Sequence, residues 1–125
     1  MAAKLIYPNR QCVAVCGDGG FSMQMSAMMT ACEENIPIAT VVLNNCALGW
    51  VKHFQKGRTI ASEFPDVDFA EIAKAMGCKG IRVETPDQLA EALEVALSAG
   101  IPAVLDVRTS IDVSFEDVLS PLAAR

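Results

Sequence analysis

Apolar residues in this chain come in short continuous runs that alternate with stretches of helical spacing. Gln11 to Cys16 (QCVAVC) is an apolar run ending in glycines and reads as a buried strand. From Phe21 the period changes: Phe21, Met25, Met28, Met29 and Cys32 fall at helical spacing, and Ser22 can cap the start. Pro37 follows, and Ile38 to Leu43 (IATVVL) predicts a second buried strand. The stretch from Asn44 to Phe64 is less regular, with Gly49 and Gly57 inside it and Pro65 just after. Asp68 with Glu71 is a capping box, followed by Phe69, Ile72, Ala73 and Met76 on one face and Gly77 as a stop. Ile81 to Val83 is a third strand. Thr85, Pro86 and Gln88 open a last helix, with Leu89, Leu93, Ala96 and Leu97 as its buried stripe and Gly100 at its end. Ala103 to Val107 is a fourth strand, and Ser114 to Arg125 is expected to be weakly helical at most.

Strand and helix alternate throughout, so the expected class is α/β: a parallel sheet with helices on both faces, forming one domain over 1–125. In such sheets ligands sit outside the carboxyl ends of the strands. Two segments lie at those ends, Gly17-Asp18-Gly19-Gly20 and Asn44-Asn45. The glycines allow a sharp turn and bring backbone N–H groups close to a ligand; the helix start that follows favours phosphate. Asp18, however, sets a carboxylate among those donors, which repels a diphosphate unless a cation lies between. Mg²⁺ is the natural choice, being a hard ion for carboxylate, amide and phosphate oxygens. Twenty-four residues separate Gly19 from Asn44, enough for a helix and the adjacent parallel strand. One right-handed βαβ unit then carries both segments to the same sheet edge.

Two other readings of the same residues stand beside this one. Asp18 and Asn44-Asn45 are also common turn residues. A dinucleotide-binding fingerprint would need a third glycine at 22, where Ser22 stands, and an acid at the end of the second strand, where Leu43-Asn44-Asn45 has none.

Composition narrows the partners. Net charge is −5 and the basic residues are scattered, which disfavours nucleic acid and anionic membrane. Small anions remain open, since backbone amides bind them without Lys or Arg. The first residues lack the apolar stretch of a signal peptide and no run approaches membrane-spanning length, so a cytoplasmic location is expected. The cysteines (Cys12, Cys16, Cys32, Cys46, Cys78) are odd in number and form no C-x-x-C pair, which argues against a zinc site or a disulfide framework. Most read as small core residues, Cys46 as packing, and Met23, Met25, Met28 and Met29 as core filler. His53 reads as a surface or hydrogen-bonded histidine; Glu33, Glu34, Glu91 and Glu94 read as solvated helix faces.

A G-D-G, then twenty-odd residues, then N-N is the signature of thiamine-diphosphate-dependent enzymes. The segment CGDGGFSMQMSAMMTACEENIPIATVVLNNCALGW resembles the pyrophosphate-binding domain of acetolactate synthase and its decarboxylase and carboligase relatives. The resemblance runs from Ala3 to about Thr109. It implies that Asp18 and Asn45 coordinate Mg²⁺ through side chains and Ala47 through its carbonyl, with diphosphate oxygens and a water completing the shell. It implies further that Gly17 lies at the cofactor and that amides of Gly19, Gly20, Leu48 and Gly49 contact the diphosphate of thiamine diphosphate. Trp50, His53 and Phe54 fall where such enzymes place substrate-pocket residues. Ala27 stands where many relatives carry Glu or Gln. Ala2 to Tyr7 resembles only the tail of a helical segment that precedes the first strand in the family. No catalytic residue is expected in this chain, because the glutamate that activates the cofactor belongs to a separate pyrimidine-binding domain. The implied reaction is decarboxylation or carboligation of a 2-oxo acid, in a homo-oligomer or with a partner subunit, the chain alone being inactive. The alternative is a truncated, non-catalytic cofactor-binding or interaction module.

Overall fold

The computed structural model describes residues 1–112, so the expectation for Ser114 to Arg125 lies outside the described residues. The order is α1 (Ala2–Ile6), β1 (Val13–Gly17), α2 (Asp18–Gln24), α3 (Ala27–Glu33), β2 (Ala39–Asn44), α4 (Gly49–Phe54), α5 (Phe69–Ala75), β3 (Lys79–Val83), α6 (Leu89–Ser98) and β4 (Ala103–Arg108). A single 3₁₀ turn, Pro86–Gln88, leads into α6, and Gln88 Oε1 accepts the N–H groups of Glu84 and Thr85 at its start. The four strands form one parallel sheet in the order β1-β2-β4-β3. The alternating α/β class with helices on both faces is therefore the architecture found.

The register sorts side chains between the two faces by strict alternation. On one face Ala39, Val41, Val83, Ala103, Leu105 and Val107 pack under α6, which contributes Ala92 and Ala96 with Leu89, Leu93 and Leu97 at its flanks. On the other, Val42 and Val104 pack with Phe21, Met28 and Ala31 of α2 and α3, and with Phe69 and Ala73 of α5. The rings of Phe21 and Phe69 meet edge to face, 5.4 Å between centroids, which ties α2 to α5 directly behind the strand tips. The strand expected to be buried at Gln11 to Cys16 is instead largely exposed as β1, with Val13 and Val15 at 50% and 64%, and Leu43 of β2 beside it at 41%.

α5 approaches β3 so closely that a Cβ on Gly80 would lie 1.9 Å from the Ala70 carbonyl oxygen. The space, not the backbone angle, requires glycine there. Gly77 and Gly100, by contrast, end α5 and α6 with φ of 88° and 69°, the left-handed region that a helix stop needs. Asp68 caps α5 as its sequence foretold, its Oδ1 accepting the Glu71 N–H at 2.9 Å.

The structure departs from the sequence reading at three further places. The glycine segment is not a loop before a helix at Phe21: β1 runs directly into α2, which starts at Asp18 with Gly17 as its N-cap. Gly19 and Gly20 thus lie in the first turn of a helix despite their low helix propensity, and of the two only Gly19 is closely packed. Ser22 is no cap; it sits within α2 and its Oγ donates to the Gly19 carbonyl at 2.9 Å. The long helical period breaks into α2 and α3 at Met25 and Ser26, so the methionines divide. Met28 is buried and Met25 half-buried, whereas Met23 and Met29 are 75% and 51% exposed. Finally, the irregular stretch after Asn44 contains α4, whose exposed apolar residues Trp50, Val51 and Phe54 concealed its period.

Candidate functional site

β1 and β2 are adjacent and in register, Gly17 opposite Leu43, so Asp18 and the Asn44–Ala47 segment emerge side by side at the carboxyl edge. The contact between them is direct. Asp18 is 4% exposed, and its Oδ2 accepts the N–H groups of Asn45 (3.2 Å) and Ala47 (3.1 Å). Its Oδ1 accepts the N–H of Gly19 at 2.8 Å. One carboxylate, satisfied by three backbone donors, thereby knots the first turn of α2 to the end of β2.

Asn45 contributes the second observation. Its Oδ1 is buried and has no hydrogen-bond partner. An amide oxygen withheld from both water and protein donors costs about 1–3 kcal/mol, and such a group calls for a ligand. An Asp carboxylate, an Asn amide oxygen and a backbone carbonyl together form a set of hard oxygen donors, the kind Mg²⁺ takes.

The loop that carries these groups is clamped from outside. Phe64 N–H donates to the Cys46 carbonyl at 2.7 Å and Leu48 N–H to the Ser62 carbonyl at 2.9 Å, an antiparallel bridge of Ala47 with Glu63. Cys46 is held at φ 58°, an unusual angle for a side chain with a Cβ. Leu48 lies over Gly19, where a Cβ would come within 2.4 Å of Leu48 Cδ2. At Gly49 a Cβ would come within 3.1 Å of Asn45 Nδ2. Both glycines keep backbone close to the site.

A cleft of about 200 Å³ is lined by Gly17–Gly20 of the first segment and Ala47–Val51 of the second. The structure thus brings Gly17, Asp18, Gly19, Gly20, Ala47, Leu48 and Gly49 to one opening, with Asn45 joined to them through Asp18. Trp50 also lines this cleft. Phe54 is one turn further along α4, its ring 6.2 Å from that of Trp50. His53 lines a different cavity, with Lys52, Gly57 and Thr59. Ala27 begins α3, beyond the break in the helix, and is not among the residues lining the cleft.

Sequence reasoning passed over the layer beneath. Asp106, at 0% exposure, lies in β4 between the apolar residues Leu105 and Val107. Its Oδ1 accepts Asn44 Nδ2 at 2.9 Å, its Oδ2 accepts the Phe69 N–H at 3.0 Å, and Arg82 Nη1 stands 3.6 Å away. Burial pushes the Asp106 carboxyl above its ordinary value, against the pull of these donors. Arg82 is also paired with Asp66, Asp68 and Glu84, and the hydrogen bond to Glu84 is the largest cause raising its guanidinium further above its already high ordinary value. Cys46 is not simple packing: Arg108 Nη1 donates to its Sγ at 3.1 Å. The signal available was a lone acid between apolar strand residues, which a fold must partner.

The family description "Thiamine pyrophosphate enzyme, C-terminal TPP binding domain" matches residues 1–107. This chain belongs to that family. YdaP of Bacillus subtilis (strain 168), named for an inferred thiamine pyrophosphate content, is 44% identical over 110 residues, which is 86% of this chain and 19% of that protein. The acetolactate synthase of the same organism is 36% identical over 110 residues, 86% of this chain and 19% of that protein. The solved thiamine diphosphate-dependent 4-hydroxybenzoylformate decarboxylase of Rhodococcus jostii RHA1 superposes with a TM-score of 0.83 at 33% identity, over 90% of this chain and 22% of that one. The chain spans about a fifth of the length of the relatives it matches. It is thus a thiamine-pyrophosphate-binding domain of the acetolactate-synthase-like kind, and the dinucleotide alternative gives way to it. Among the described residues no helix is long and apolar enough to cross a membrane.

Proposed function

We propose that this domain holds the diphosphate of thiamine diphosphate through Mg²⁺, as part of a cytoplasmic 2-oxo-acid decarboxylase or carboligase resembling acetolactate synthase. The observation that carries the metal is the buried, unpartnered Asn45 Oδ1 on a loop that Asp18 binds through the N–H groups of Asn45 and Ala47. Asp18, Asn45 and the Ala47 carbonyl would hold the ion. Amides of Gly19, Gly20, Leu48 and Gly49 would hold the diphosphate, in the cleft that these residues line. When bound, the cofactor supplies a thiazolium carbon that adds to a carbonyl and accepts the electrons released with CO₂. The residues of this chain anchor and orient it; the activating glutamate and most of the 2-oxo acid pocket belong to a pyrimidine-binding domain or subunit. The apolar rim of Trp50 and Val51 at the cleft suits closure by such a partner, in an oligomer. This chain alone is then a binding domain without turnover.

Calorimetric titration of the folded chain with thiamine diphosphate tests the reading. Micromolar binding, about −8 kcal/mol, that disappears when Mg²⁺ is chelated is the expected result. A chain with native circular dichroism that binds nothing, or that binds a nicotinamide dinucleotide without metal, overturns it.

A further inference from the structure

Asp106 is fully buried, and as a carboxylate it can only accept hydrogen bonds. Asn44, itself 1% exposed, must therefore turn its amino group inward, where Nδ2 donates both to Asp106 Oδ1 (2.9 Å) and to the Val67 carbonyl (3.0 Å). With both amino hydrogens committed, Asn44 Oδ1 faces along the chain and accepts the Cys46 N–H at 3.2 Å. A side-chain oxygen accepting the N–H two residues on closes a tight local turn. That turn encloses Asn45 and holds Cys46 at φ 58°, a conformation that persists only when its surroundings impose it. The same turn delivers the Asn45 and Ala47 N–H groups to Asp18 and leaves Asn45 Oδ1 buried without a partner.

We infer that Asp106 is a positioning residue for the metal loop: by fixing which end of the Asn44 amide points inward, it sets the turn that presents Asn45. The loop's role as a metal site rests on the function proposed above; the coupling from Asp106 to the loop does not. Phe69 N–H on Asp106 Oδ2 and Arg82 at 3.6 Å hold the carboxylate itself in place.

The test uses Asp106→Asn and the exchange Asn44→Asp with Asp106→Asn. The single variant keeps shape but replaces one acceptor by a donor, so either Asn44 Nδ2 or Phe69 N–H meets another donor and Asn44 is free to flip. In the exchange, the amide introduced at position 106 can donate to the carboxylate introduced at position 44 and still accept from Phe69. That carboxylate can in turn accept from Cys46; only the Val67 carbonyl loses a donor. Amide ¹⁵N–¹H shifts and hydrogen exchange are read in metal-free chain. The single variant should move the resonances of Asn45, Cys46 and Ala47 and speed exchange at Cys46 about tenfold or more. The exchange variant should return both toward wild type. With Mg²⁺, thiamine diphosphate affinity should fall about 10–100-fold in the single variant, the usual effect of losing a group that orients a ligand, and recover in the exchange. Unmoved amides at 45–47 beside a lowered melting temperature would make Asp106 a brace for α5 only and overturn the inference, as would an exchange variant that restores nothing. Should the single variant fail to fold, the exchange variant decides alone: folded with wild-type Cys46 protection it supports the inference, and unfolded it refutes it. A wild-type chain that binds no cofactor removes the function proposed above and leaves the amide measurements to decide the positioning.

Discussion

Replacing Gly80 by alanine puts the packing of α5 on β3 to a quantitative test. The new Cβ would stand 1.9 Å from the Ala70 carbonyl oxygen, 2.7 Å from its carbon and 3.0 Å from Lys74 Cγ. Carbon and oxygen approach to roughly 3.3 Å even in attractive C–H···O contacts, so α5 would have to retreat by about 1.4 Å. The obstacle is backbone, which has no rotamer to escape into. Overpacking typically costs about 1–3 kcal/mol, and the upper end applies here because Ala70 and Ala73 are at 1% and 0% exposure. Alanine in a strand regains roughly 0.5–1 kcal/mol of backbone entropy over glycine, leaving a net loss of about 2 kcal/mol. For a domain of this size that corresponds to about 8 °C in melting temperature. Urea unfolding followed by circular dichroism should show a lower midpoint with unchanged slope. Adding Lys74→Ala, which relieves only the 3.0 Å contact, should not restore it. A Gly80→Ala chain as stable as wild type within about 0.5 kcal/mol, against the loss expected of overpacking, would mean that α5 and β3 do not lie this close.

Two further outcomes follow from groups at and behind the site. Asn45→Ala removes a buried oxygen that has no partner, so metal-free stability in urea should hold within about 0.5 kcal/mol or rise, while Mg²⁺-dependent thiamine diphosphate binding falls more than about 100-fold. A clear loss of metal-free stability would show Asn45 to be a structural residue. Burial, and then the hydrogen bond with Cys32 at 3.3 Å, push the Cys78 thiol up to about 12 from an ordinary 9.0. Between those values the folded chain retains a proton that the unfolded chain has lost, so stability is unaffected below about 9 and falls as pH rises above it. The urea midpoint should decline from about pH 9 to about pH 10.5, less steeply in Cys78→Ala; equal slopes would remove Cys78 as the cause.

Much of the site was legible in the sequence because its parts are short and its partners follow the βαβ geometry. Gly17–Gly20 and Asn44–Gly49 are contiguous runs at strand ends, and a parallel crossover has one hand, so their meeting at Asp18 could be inferred without coordinates. His53 was less legible: three positions after Trp50 it falls on nearly the same helix face, yet the loop after α4 brings Gly57 and Thr59 to it, and it lines a separate cavity with them.

The alternation of apolar runs with helical periods, the caps at Asp68 and Gly77, and the G-D-G to N-N spacing were settled by local chemistry, since each depends on residues within a few positions or within one βαβ unit. What only the assembled fold decided is everything that depends on residues distant in the chain. It placed β4 between β2 and β3, required glycine at 80 because Ala70 arrives there, left Met23 and Met29 in solvent, and set Asp106 beneath Asn44. Hydrophobic periodicity reports which way a side chain points from its own backbone. It carries no information about which other backbone will come to meet it.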